Sequence, residues 1–119
     1  MNIEEYVKYD AIGLAELVEK REVTAQELAS LAREAAEKVN GKLNAIVSIF
    51  DEPYQDDVIE GAKFRGVPTF IKDLGASISG LSQESGSMLT KGFVSPVTTH
   101  FAQSFLNAGF QVIGRSTCP

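Results

Sequence analysis

The chain has 119 residues, of which 44% are hydrophobic and 23% charged, with a formal net charge of -5. These proportions exclude a disordered tail and suit one domain or a portion of one. The basic residues are spread singly, which argues against nucleic acid or an anionic membrane surface as a partner, because both require concentrated positive charge.

Asp10 is placed to cap a helix running to residue 20 or 21. Leu14, Leu17 and Val18 share one face of it, and Lys20 and Arg21 fall at the negative end of its dipole. Thr24 and Glu27 have the spacing of a capping box for a second helix. There Leu28, Leu31, Ala32, Ala35, Ala36 and Val39 recur as one apolar stripe, and Asn40-Gly41 is the expected stop. Residues 45–50 read as a mostly buried strand. Residues 51–57 are acidic, contain Pro53 and read as a loop, and residues 58–64 read as a short helix.

Residues 66–73 read as a turn feeding a strand, and residues 75–87 hold too much glycine and serine for long regular structure. Thr98 or Thr99 caps a last helix, with Phe101, Ala102, Phe105 and Leu106 toward the core and Asn107-Ala108-Gly109 closing it. Residues 111–114 form a final strand. Helices, then strands interleaved with a helix, predict a mixed α/β fold. Its parts are a helical half with the first strand (1–50), an acidic loop (51–65), and a lysine strand, Gly/Ser loop, helix and strand (66–119).

Lys72 is the residue on which chemistry centres, because it leaves an apolar strand after Val67, Phe70 and Ile71. Only a neutral lysine is a base, and at the ordinary pKa of about 10.4 roughly one in two thousand is neutral at pH 7. Lowering that value by about three units takes burial or a nearby positive charge, equivalent to about 4 kcal/mol. The plainer reading is that Lys72 pairs with Asp73 or extends to the surface.

Serines 77, 79, 82, 85 and 87 lie outside any Gly-x-Ser-x-Gly elbow, and no phosphate-binding Gly-Lys-Ser/Thr loop is present. His100 is the single histidine and reads as a surface residue in the first turn of the last helix. Cys118 is the single cysteine, so no internal disulfide forms, and no metal-ligand spacing is present. The N-terminus is acidic where a signal peptide would be basic, and the apolar runs are too short to span a bilayer, so a cytoplasmic location is expected.

The residues from Gly66-Val67-Pro68 through Lys72-Asp73, then Gly80, Ser85-Gly86-Ser87 and the run from Asn107 to Thr117, resemble the amidase signature family. The segment Lys72-Asp73-Leu74-Gly75 is closer to the branch that includes hydrolases of cyclic amide oligomers. The early part fits too, through Thr24-Ala25-Gln26-Glu27-Leu28 and Leu43-Asn44-Ala45. The chain departs from the pattern at Leu74, where many members have asparagine, and near Thr99-His100, where aspartate is common.

The resemblance implies a Ser–cis-Ser–Lys triad in which Lys72 is the ultimate base. It deprotonates a bridging serine, which activates a nucleophilic serine to form an acyl-enzyme from a small-molecule amide. Both serines belong to a Gly/Ser-rich segment that this chain lacks, so it implies the N-terminal part of a hydrolase, inactive by itself. By the same resemblance Gly86 and Ser87 shape the loop under the catalytic centre, and Thr117 and Cys118 lie near the substrate pocket. No metal or other cofactor is implied. Uncovered strand edges and apolar faces are expected to cause self-association. The alternative is a non-catalytic α/β module that presents residues 28–39 to a protein partner.

Overall fold

The structure is a computed structural model that describes residues 1–56 and 61–118. It begins with a feature the sequence reading missed, the short helix α1 (Ile3–Tyr6), held by a capping box between Asn2 and Glu5. Helix α2 (Ala11–Glu19) starts where expected, because the Asp10 carboxylate accepts the Gly13 amide at 2.8 Å. Helix α3 (Ala25–Leu43) carries the predicted capping box: the Thr24 hydroxyl accepts the Glu27 amide, and the Glu27 carboxylate accepts the Thr24 amide.

The stop expected at Asn40-Gly41 is wrong. Gly41 stays inside α3, and the helix ends at Asn44, which takes the left-handed conformation (φ 48°) that asparagine tolerates better than most residues. Asn40 acts instead through its side chain, which accepts from the Ile46 amide at 2.9 Å and donates to the Ile46 carbonyl at 3.2 Å. That pair sets the entry to the first strand.

Strand β1 (Ile46–Tyr54) is longer and less buried than predicted, and it takes in residues 51–54, which were assigned to an acidic loop. Its position explains both differences. The sheet order is β1, β3 (Gln111–Ser116), β2 (Pro68–Lys72), so β1 has one neighbour and its outer side tolerates proline and charge. β1 runs antiparallel to β3, with Ile49 opposite Gly114, and the register is interrupted between Ile49 and Tyr54. β2 runs parallel to β3, with Pro68 opposite Gln111 and Lys72 opposite Ser116. The short helix expected at 58–64 falls at 58–60 outside the described residues, and residues 61, 63 and 64 lie in turns.

Central β3 is buried from Gln111 to Arg115 and continues two residues past the predicted end. Its alternating side chains join cores on opposite faces. Ile113 packs with Ala29 and Ala32 of α3, while Val112 packs with Ile71, Ala76, Ile78, Ala102 and Leu106. The α3 stripe is therefore centred on Leu28, Ala29, Ala32 and Ala36, and Val39 is exposed. Gln111 is 2% exposed and uses its amide to tie layers together, donating to the Ala25 carbonyl at 2.7 Å and the Gly66 carbonyl at 2.6 Å.

Residues 75–87 contain neither helix nor extended strand; Ser82 makes an isolated bridge with Val94, and a 3-10 turn, Met88–Thr90, follows. Thr99 caps α4 (His100–Asn107), and Ala102 and Leu106 face inward. Phe101 does not, being 60% exposed. It lies against Phe105 with ring centroids 5.1 Å apart, one step outside the buried Ala102–Leu106 row.

Candidate active site

Lys72 is the last residue of β2, and its side chain is exposed. The residues on either side of it are buried, Ile71 at 7% and Asp73 at 1% exposure. Strand alternation sends their side chains into the protein and that of Lys72 the other way. The lysine is thus held by its backbone neighbours, while its amine makes no ion pair among the described residues.

Asp73 does not pair with Lys72. Its Oδ1 accepts from Arg115 Nη1 at 2.6 Å and from the Glu84 amide at 2.9 Å, and its Oδ2 accepts from the Gly86 amide at 3.3 Å. The Asp73 amide donates to the Ser116 carbonyl at 2.9 Å. Arg115 also reaches β1, donating from Nε to Ser48 Oγ at 3.3 Å. One buried ion pair therefore joins the end of β2, the C-terminal end of β3, β1 and the Gly/Ser loop. Sequence reasoning missed this pair. The available signal was Arg115 itself, a charge inside an apolar strand, which must find an opposite charge when buried.

The other candidate residues fall into two groups. Gly86, with φ 64°, lies so close to Cys118 that an added Cβ would be 2.7 Å from the sulfur. Half-buried Cys118 and the Asp73-anchored loop are thus brought together beside the end of β2. Ser87 and Thr117 are exposed. The Ser87 hydroxyl accepts the Leu89 amide at 3.2 Å, opening the 3-10 turn. Thr117 donates its amide to the Ala45 carbonyl at 2.8 Å. His100 is exposed at the start of α4, as expected. Among the described residues no group of three or more His, Cys, Asp or Glu side chains is arranged to hold a metal ion, and no helix is long and apolar enough to cross a membrane.

No family model matches the chain. A lipoamidase from Enterococcus faecalis is 32% identical over 119 residues, an overlap of 97% of this chain and 16% of that protein. The 6-aminohexanoate-cyclic-dimer hydrolase of Paenarthrobacter ureafaciens is 29% identical over 113 residues, covering 92% of this chain and 23% of its own length. A solved 6-aminohexanoate cyclic dimer hydrolase with its substrate superposes with a TM-score of 0.77 at 26% identity, over 93% of this chain and 24% of that one. These homologues and structural neighbours support the amidase signature family, of whose members the chain covers a small part.

A bacterial aryl acylamidase of the amidase signature enzymes shares the fold as well, with a TM-score of 0.74 at 20% identity. The chain spans between 16% and 23% of the length of these two curated relatives. The three strands and four α-helices among the described residues are accordingly a partial α/β fold of the amidase signature type. Helices α1 to α3 precede the sheet in sequence, and α3 covers one face of it, while α4, which lies between β2 and β3, and the Gly/Ser loop cover the other.

Proposed function

We propose that this chain supplies the lysine base of an amide hydrolase that cleaves carbon–nitrogen bonds through an acyl-enzyme. The observation that carries this reading is the seat of Lys72. It is a lysine fixed at a strand end by buried neighbours, in a chain whose relatives include a lipoamidase and a cyclic-amide hydrolase. In the proposed reaction the neutral Lys72 amine takes the proton of a bridging serine. That serine takes the proton of a nucleophilic serine, whose oxygen attacks the amide carbonyl. The amine product leaves with a proton, and water then releases the acid. The substrate is a small-molecule amide and the site of action the cytoplasm.

Both serines lie outside this chain on this reading, so the 119 residues alone are inactive. On the same reading Gly86 and Ser87 shape the loop under the catalytic centre, and Thr117 and Cys118 lie near the substrate pocket.

Two assays test the proposal. The chain alone, offered amides and esters, is expected to show no turnover, with or without Lys72→Ala. Spliced in place of the matching quarter of the cyclic-dimer hydrolase, it is expected to give an active enzyme. Lys72→Ala in that chimaera lowers kcat/KM at least a thousandfold. Turnover by the chain alone that disappears with Lys72→Ala would place a nucleophile within these residues, with Ser85, Ser87 and Cys118 the first to test. A chimaera indifferent to Lys72→Ala would refute the base assignment.

We also propose that the isolated chain self-associates. Met88 and Leu89 are 82% and 94% exposed, Phe101 is 60% exposed, and β2 is an edge strand. Surface of that kind is normally covered.

A further inference from the structure

We infer that Asp73 and Arg115 are positioning residues for Lys72, and that their ion pair exists to fix the geometry of the strand end and the 84–86 turn rather than to stabilise the fold. The inference rests on the proposed role of Lys72.

Three features support it. First, the carboxylate is used to a degree that packing alone does not require. It takes one guanidinium hydrogen bond and two backbone amides, from Glu84 and Gly86. Those two amides lie just past the Ser82–Val94 bridge, in a loop without an extended strand, so Asp73 ties that stretch of the loop to the end of β2.

Second, the pair is buried, with 2% and 11% of the two side chains accessible. Desolvating two charges consumes most of what their attraction returns, so an apolar pair of similar volume generally serves stability as well or better. A buried pair kept beside a candidate base is therefore better explained by geometry. The planar guanidinium directs Nη1 to Asp73 and Nε to Ser48, which fixes β1, β3 and the end of β2 in one plane of contacts.

Third, the anchored residue is the immediate neighbour of Lys72. With Ile71 and Asp73 both pinned inward, the direction of the Lys72 Cα–Cβ bond is set from both sides. Catalytic groups held in this way need no reorganisation when substrate arrives.

Three variants of the 119-residue chain test the inference: Asp73→Asn, Arg115→Met, and the double apolar replacement Asp73→Leu with Arg115→Met. Three readouts are taken. These are the urea midpoint, hydrogen exchange at the Glu84 and Gly86 amides, and acylation of Lys72 by a neutral activated ester relative to Lys91. Each single variant is expected to lower the urea midpoint, because it leaves one buried charge unpaired.

The double variant is expected to recover the midpoint. Its Glu84 and Gly86 amides still exchange at least tenfold faster than in the unaltered chain, and the Lys72 to Lys91 ratio stays displaced at least threefold. Recovery of all three readouts would overturn the inference, since the pair would then be replaceable filling. Should the double variant not fold, Arg115→Lys keeps the charge without the fork. The same displacement of the labelling ratio is expected there, and an unchanged ratio would overturn the inference. None of these readouts involves amide turnover, so the positioning role and the proposed activity fail separately.

Discussion

A methyl group added at Gly114 would run into the Ser48 carbonyl oxygen and come within 2.8 Å of a Phe70 ring carbon. Backbone cannot move aside as a side chain can, so Gly114→Ala is expected to destabilise the chain by about 3 kcal/mol in urea denaturation. Gly86→Ala acts differently. Its φ of 64° costs a residue with a Cβ about 1 kcal/mol, and the clash with Cys118 involves the free end of a short side chain. The combination of Gly86→Ala with Cys118→Ala is expected to recover the steric part and leave the backbone strain, by the same measurement. At this scale the sequence displayed Lys72 but not its supports. Asp73 and Arg115 are 42 residues apart, and only the parallel pairing of β2 with β3 brings them together. No local pattern records such a partnership, whereas a lysine after an apolar run is visible at once.

The starts of α2, α3 and α4 were legible because their chemistry is local, although the same chemistry at Asn2 and Glu5 went unread. Asp10, Thr24 and Thr99 each accept an amide three residues ahead, within reach of any reader of spacing. Thr24→Ala is expected to cost about 1 kcal/mol, measured by thermal or urea unfolding. The capping box also predicts a pH effect. Hydrogen bonds from the Thr24 amide, and then its hydroxyl, hold the Glu27 carboxyl below its ordinary value of 4.5. A carboxyl depressed in the folded state contributes stability above its unfolded pKa and loses it as pH falls through the folded one. Stability should therefore decline below about pH 4.5, and Glu27→Gln should remove that part of the decline in a pH series of urea midpoints. Helix stops and strand lengths were harder to read. The end of α3 depends on which of Asn40, Gly41 and Asn44 turns left-handed, and the sheet decides it by claiming Asn40 for Ile46. β1 runs through Pro53 because its outer side has no neighbour among the described residues, which no property of residues 51–54 reveals.

For the whole molecule, the α/β class and the interleaving of strands with α4 followed from composition and periodicity, and the family from ordered short motifs. What escaped was the distribution of exposed apolar groups, because exposure depends on everything packed around a residue. Met88 and Leu89 project from the 3-10 turn with almost no cover. Analytical ultracentrifugation is expected to show concentration-dependent association of the chain, weakened by Met88→Lys with Leu89→Lys. A strictly monomeric species across the concentration range would count against self-association.

The two rims of the three-stranded sheet are unlike each other. On one side β1 carries Asp51, Glu52 and Pro53 and breaks register twice, features that repel an incoming strand. On the other, β2 offers Pro-Thr-Phe-Ile-Lys with proline only at its first position. The sheet can consequently be extended in one direction alone. A polypeptide docking along β2 would pass the end of the strand that Lys72 occupies.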